Sequence, residues 1–452
     1  MWEKEQSDAL KEVFEALNEN KIKWLVLRNY EGLPENNRSK DVDISIERKD
    51  FPKAKEIIVT TMNLRGFKYF QIVIFQYVLC LTFFKINDDK IISLKIDILD
   101  GGFIWRGAKL IDFRDIYESK TLYNNFYVPS PDMDGFMLWL KPLLTGGIIK
   151  DKYRSDILKT LEIYPTKFKK NLFNIFHKKL ASKIWGMFLR GDIEKTVFLN
   201  NRLRYSAWIK TFTKQPIKTL LALFEHFYKE LARRSKRPKV SFIAVLGPDG
   251  VGKSTFVELL KKELALCMIK EQYDVQVLHF RPNIFPNLKK LFYGKNYDES
   301  KENFNKPHRE KPVKGFNALL RLAYYSIDYI IGYWFYIRKK CVAGQIFIMD
   351  RYFYDFIVDP FRSKIDLPKW IRLLFLKFIP EPDFVFILLC DAETIFKRKQ
   401  ELSIEEIKRQ LKEYQSLANN SKKFVIINAN QSVEKSVNDA IKHIIVSSFK
   451  KL

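Results

Sequence analysis

The sequence predicts an α/β protein with two cores: a mixed-sheet domain over residues 1–150, a basic helical connector over 151–238, and a doubly wound parallel-sheet domain over 239–452. Three observations lead there. At 452 residues the chain exceeds what one hydrophobic core ordinarily organises. Its second half holds five short, largely apolar runs at helix-length intervals, as strands buried on both faces of a parallel sheet require. Between the halves, residues 165–240 carry 19 Lys and Arg against 4 Asp and Glu, a net +15 that reads as a solvated helical stretch.

The elements follow in order. Asp8 to Leu17 has helical periodicity, Lys23 to Arg28 and Asp41 to Ile46 alternate as strands, and Lys55 to Leu64 is again helical. Phe67 to Lys85 and Ile91 to Leu99 read as strands joined by a tight turn at Asn87-Asp88-Asp89. In the connector, apolar residues from Ile217 to Leu231 recur at helical spacing, and Arg233 to Lys239 closes that helix as a linker. The strands of the second sheet are expected at Val240 to Leu246, Val275 to Phe280, Gln345 to Met349, Phe384 to Leu389 and Phe424 to Ile427.

Composition excludes several classes. Hydrophobic residues make up 47% and charged residues 29%, ordinary globular values that argue against long disorder. Cys80, Cys267, Cys341 and Cys390 are far apart and read as buried thiols in a reducing compartment, neither a disulfide frame nor a zinc site. The amino terminus is acidic and amphipathic, unlike a signal peptide, so a cytoplasmic protein is expected. The apolar stretches Tyr69 to Phe84 and Tyr324 to Ile337 are interrupted by Gln71, Gln76 and Asp328 and fall short of the roughly 18 apolar residues of a spanning helix. The formal net charge is +26, and its concentration in the connector points to phosphates on a polyanion, a nucleic acid or an anionic membrane at the inner face; a plainly solvated connector accounts for it equally.

Directly after the first strand of the second half stands Gly247-Pro248-Asp249-Gly250-Val251-Gly252-Lys253-Ser254-Thr255, a full match to G-x-x-x-x-G-K-[ST]. Its glycines let the backbone turn tightly and aim N–H groups at phosphate oxygens, and the helix from Thr255 to Leu266 adds its positive end. Lys253 is expected to bridge the β- and γ-phosphates of ATP, and the Ser254 hydroxyl to ligate Mg²⁺.

Four features in order, the loop with Asp249 as its third residue, HFRP at His279 to Pro282, DRY at Asp350 to Tyr352, and PDFVFILLCDAETIFKRK from Pro382 to Lys399, make the segment from Lys239 to Leu452 resemble the thymidylate kinase family. The resemblance implies that Asp249 contacts a sugar hydroxyl of the acceptor and that Arg281 and Arg351, with Tyr352 beside them, hold its phosphate. It further implies Asp350 at the Mg²⁺ site and Arg398 as a lid arginine over the transferring phosphoryl group. The chain departs from the family in a long insertion between Arg281 and Asp350, which carries Tyr324, Tyr325, Tyr329, Tyr333, Trp334 and Tyr336 on one helix, suited to stacking on sugar faces or to packing on lipid-proximal substrates. Asp355 and Asp359, four residues apart on a helical face, suit hydrogen bonds to a hydroxyl-rich acceptor; paired surface acids are the other reading.

In the first domain Asp41 and Asp43 alternate along a strand and share a face, and Asp97 joins them if the strands are neighbours. Three carboxylates so placed can hold two Mg²⁺ ions for nucleotidyl transfer. The arrangement resembles the polymerase-β-like nucleotidyltransferase superfamily, and LVLRNYEGLP before it resembles a branch that accompanies polysaccharide biosynthesis. The Gly-Ser pair that grips the triphosphate there is missing, with Ser39-Lys40 the nearest substitute, so surface aspartates or a degenerate fold that only binds ligand remain open.

The function expected is ATP-dependent phosphotransfer to a sugar phosphate or saccharide in polysaccharide biosynthesis, fused to a nucleotidyltransferase-like domain. The alternatives are a dTMP kinase and a non-catalytic nucleotide-sensing regulator. Expected partners are ATP, a phosphate- or hydroxyl-bearing acceptor, an anionic membrane or polyanion on the connector, and a second copy of the chain.

Overall fold

A computed structural model describes residues 2–37, 39, 41–75, 77–87, 90–145, 148–235, 240–266, 275–286, 312–419 and 423–449. Lys40, Gln76, Cys267, the turn residues Asp88 and Asp89, linker residues 236–239 and part of the expected insertion, 287–311, lie outside the described residues. The chain divides into two compact units, residues 1–85 with 92–235 and residues 86–91 with 236–452.

In the first unit, helix Lys4–Glu19 opens on a reciprocal cap between Glu3 and Gln6 and buries Leu10, Val13, Phe14 and Leu17, one face at helical spacing. Strands β1 (Trp24–Arg28), β2 (Val42–Ile46), β3 (Lys68–Phe75), β4 (Val78–Asn87) and β5 (Lys90–Asp100) form a mixed sheet in the order β1-β2-β5-β4-β3. The run expected as one strand from Phe67 to Lys85 is two antiparallel strands, β3 and β4. β2 is interior, antiparallel to β1 and parallel to β5, and every one of its residues is buried. Asp43 and Asp97 are register partners across that parallel pair.

The basic stretch is helical, with helices Asp151–Ile163, Pro165–Ile175, Lys178–Leu189, Asn200–Lys214 and Pro216–Ser235. It shares a core with the sheet's side of the unit instead of standing apart as a connector: Ile157, Phe168, Leu172, Phe176 and Ile184 cluster with Leu25, Leu27 and Trp139. The charge count hides this because the lysines and arginines occupy the outer faces while a thin periodic set of apolar residues turns inward. Trp139 anchors the cluster edge-on to Phe176 and Phe188 and donates its indole N–H to Thr196 Oγ1 at 3.1 Å.

In the second unit, β6 (Phe242–Leu246), β7 (Val275–His279), β8 (Ile346–Asp350), β9 (Phe384–Leu389) and β10 (Phe424–Asn428) form an all-parallel sheet in the order β7-β8-β6-β9-β10. The α/β class and the doubly wound sheet are as the sequence predicts. Parallel pairing puts the carboxyl ends of β6 and β8 side by side, which is where ligands bind in such sheets. The aromatic helix Gly315–Gly332 continues through a π-helical turn, Tyr333–Ile337. Its Tyr325, Tyr329 and Tyr333 are buried in the core of the sheet, Tyr329 edge-on to Tyr352 at 5.0 Å. These rings pack the fold and are not offered to a sugar face; of the set expected to stack, Trp334 is the exposed one, at 55%. Cys80, Cys341 and Cys390 are buried, and no helix among the described residues is long and apolar enough to cross a membrane.

Candidate active site

The loop after β6 is built by conformation. Gly250 (φ 86) and Gly252 (φ 101) lie in the left-handed region, where a side chain is strained. At Gly250 a Cβ would also sit 3.0 Å from Lys399 Cβ and 3.2 Å from the Ile395 carbonyl, so the loop runs tight beneath helix Ala392–Arg398. Gly247 likewise has φ 147, and Val251 is buried beneath the loop. Helix Lys253–Leu266 starts at the lysine, so the N–H groups of Lys253, Ser254 and Thr255 have no intrahelical carbonyl, while that of Phe256 donates to the Gly252 carbonyl at 3.1 Å; a helix start of this kind suits an anion. Ser254 and Thr255 are exposed on that turn.

Lys253 is buried, and its ammonium donates to the carbonyls of Gly247 (2.8 Å) and Pro248 (2.7 Å) and lies 3.7 Å from Asp249. Burial, reinforced by the Arg351 charge, pushes its pKa down to about 7. Asp249 bonds to both Arg351 and Arg362. Against burial, the charges of Arg351, Lys253 and Arg362 hold its carboxyl well below the usual range.

Arg351 leaves β8 with φ 75, its N–H donating to the Val245 carbonyl at 2.9 Å, and this turn aims the guanidinium at the loop. Its other partner is Asp355, at 2.5 Å. Asp355, expected to face the acceptor, is fully buried with both oxygens engaged, the second accepting from the Tyr414 hydroxyl at 2.9 Å. The helical face expected over Asp355 and Asp359 is a single turn, Asp355–Val358. Asp359 is buried and accepts from the Arg362 backbone N–H at 3.3 Å, so it places the segment that carries Arg362. Tyr352 is buried in the aromatic core and donates to the Pro380 carbonyl, away from the loop.

Asp350 ends β8 opposite His279, with Oδ2 3.0 Å from His279 Nδ1. Its Oδ1 is buried and has no hydrogen-bond partner among the described residues. A buried carboxylate oxygen without a hydrogen-bond partner is of the chemical type a hard cation such as Mg²⁺ would take. Arg281 is buried, 3.2 Å from Asp328 and 5.4 Å from the Tyr325 ring, so its charge is already shared with a carboxylate. Arg398 is exposed on the last turn of the helix over the loop.

Of the residues singled out in the sequence, the structure brings Asp249, Lys253 and Arg351 together and sets Asp350 beside His279; Arg362, His279 and Tyr414 are partners that the sequence reading did not single out. His279 opens the HFRP element and was within reach of the sequence. Tyr414 meets Asp355 across 59 positions, and no local spacing reports such a contact.

In the first unit Asp41, Asp43 and Asp97 bring carboxylate oxygens within 4.8 Å of one another. Asp43 is held by Arg28 through two bonds, 2.6 and 3.1 Å, and lies 3.6 Å from Lys141. Against burial, Lys141 and Arg28 hold its pKa down at about 2. Burial and the charge of Asp43 push Asp97 up, and burial does the same to Asp41. Ser39 donates to Asp41 at 2.9 Å.

A family model described as thymidylate kinase matches residues 311–441. That span contains Asp350, Arg351, Arg362 and Arg398 and begins after the glycine-rich loop. No curated protein matches the chain. Among solved structures, thymidylate kinase from Ehrlichia chaffeensis is similar at 17% identity and a TM-score of 0.31, covering 45% of this chain and 98% of that one. The family match supports a kinase-like, nucleotide-binding carboxyl-terminal part.

Proposed function

We propose that the carboxyl-terminal unit transfers the γ-phosphoryl group of ATP to a phosphate-bearing small molecule. The observation that carries this reading is the Asp249 carboxylate bridging Arg351 and Arg362 beside the Lys253 ammonium. Two guanidinium groups converge there as they would on an acceptor phosphate. Lys253 exchanges the carbonyls of Gly247 and Pro248 for phosphate oxygens, and the first-turn N–H groups complete the seat. Asp355 and Tyr414 keep Arg351 oriented, while Asp249, released by the incoming phosphate, accepts a hydroxyl of the acceptor. Ser254 and Asp350 would hold Mg²⁺, which offsets charge on the phosphates. Arg398 and Arg281 remain in this proposal as a lid cation and a second-line phosphate contact.

A nucleoside monophosphate is the acceptor these residues favour. The sugar-phosphate reading loses support because the aromatic helix and Asp355 are used in packing. Polysaccharide biosynthesis then rests on the resemblance of the first domain alone. Coupled ADP-release assays with dTMP, other nucleoside monophosphates, sugar phosphates and oligosaccharides decide the acceptor. The expected result is a kcat/KM of about 10⁴ M⁻¹s⁻¹ or more for one nucleoside monophosphate. Turnover confined to sugar phosphates would restore the other assignment.

For the first unit we propose a divalent-cation site on Asp41, Asp43 and Asp97, as a nucleotidyltransferase-like domain requires. The cluster of Asp41, just before β2, Asp43 on β2 and Asp97 on β5 supports it. Mn²⁺ is expected to raise the melting temperature of the full chain and to lose that effect in Asp97→Asn. Equal stabilisation of both proteins would remove the site.

A further inference from the structure

Helix Pro216–Ser235 packs one side against its own unit. His226 stacks on Tyr77 at 6.2 Å, Glu225 pairs with Arg48, and the helix backbone at Ala222 passes so close to Gly107 that a Cβ there would meet it at 2.6 Å. The opposite side is apolar and open. Ile217, Leu220, Phe224, Phe227, Tyr228 and Leu231 are 40–73% exposed and recur every three or four residues, so they form one stripe along the helix. Six large side chains in one stripe exceed the scattered exposure usual on a monomer and mark an interaction surface. Lys214 and Lys218 are exposed at one end and Arg234, paired with Glu230 at 2.8 Å, at the other, and residues 165–240 carry the net +15 noted above.

We infer that this stripe lies flat in the surface of an anionic lipid bilayer, with the apolar side chains below the headgroups and the surrounding lysines and arginines at the phosphate level. The pattern is that of an interfacial amphipathic helix, apolar with aromatic residues on one face and basic around it. Charge selects this occupant over a second copy of the chain, because a second copy would bring the net +15 of residues 165–240 toward an equal positive charge, whereas anionic headgroups offset it. The inference is independent of the kinase reading, since none of these residues belongs to the phosphate site.

Co-sedimentation of the full-length protein with vesicles tests it, using phosphatidylcholine alone and equal parts phosphatidylcholine and phosphatidylglycerol. The wild-type chain is expected to bind the anionic vesicles, to leave them as salt is raised, and to leave the neutral vesicles in solution. The double variant Phe224→Ser, Phe227→Ser should bind about tenfold or more weakly, with an unchanged thermal melt because both rings are exposed. Wild-type protein that ignores anionic vesicles, binds both compositions alike, or binds as well after the double substitution would overturn the inference. A dimer in solution that the double variant dissolves, with no vesicle binding, would assign the stripe to a second copy and overturn it equally.

Discussion

Asp355→Ala is expected to destabilise the carboxyl-terminal unit by about 3–5 kcal/mol, the usual cost of removing one partner of a buried ion pair. The carboxylate is fully buried, 2.5 Å from Arg351 and 2.9 Å from the Tyr414 hydroxyl. Its removal leaves the buried Arg351 guanidinium with Asp249 as its remaining carboxylate and strips the Tyr414 hydroxyl of its acceptor. Asp355→Asn keeps a hydrogen-bonding oxygen and should cost less, about 1–3 kcal/mol. Urea unfolding monitored for each variant reads the difference. If Asp355→Ala unfolds like the wild type but loses affinity for the acceptor, Asp355 faces the substrate and the packing role assigned to it is wrong.

Lys253→Ala should lower kcat by on the order of 10³-fold while the chain stays folded. The lysine spends its hydrogen bonds on two loop carbonyls and a nearby carboxylate, none of which holds the core together. The same residue makes ATP binding dependent on pH. Its pKa is about 7 in the free protein, and phosphates beside it would raise that value. Binding therefore takes up protons above pH 7, and affinity falls as pH rises through that range. Calorimetry with a non-hydrolysable ATP analogue in two buffers of different ionisation heat reads the uptake. A variant with wild-type turnover, or binding that releases protons at pH 8, would refute the role given to Lys253.

The parts of this molecule that were legible in the sequence are those governed by local rules. The glycine-rich loop needs particular backbone angles at Gly250 and Gly252, and the DRY element ends a buried strand, so both announce themselves within a few residues. Asp41, Asp43 and Asp97 were legible because alternation fixes the face and parallel register aligns Asp43 with Asp97. What stayed hidden depends on tertiary partners. Helical periodicity is the same for rings that fill a core and rings that stack on sugar, and burial alone separates Tyr329 from Trp334. The pair Asp355 and Asp359 looked like a helical face because the end of the helix at Val358 is set by the fold around it. In the basic stretch, charge outnumbers the apolar residues that join it to the first core, so composition pointed to a connector where packing makes one body.

The central claim, that this site moves a phosphoryl group from ATP to an acceptor instead of merely binding nucleotide, is tested most directly by product stoichiometry. Wild-type chain is incubated with ATP labelled at the γ-phosphate, Mg²⁺ and the acceptor that the ADP-release assays select, and ADP, inorganic phosphate and labelled acceptor are counted. Transfer requires ADP and labelled acceptor in equal amounts, with both lost in Lys253→Ala. ADP matched only by inorganic phosphate, at a slow rate that no acceptor changes, would make the protein a nucleotide-sensing hydrolase and contradict the account.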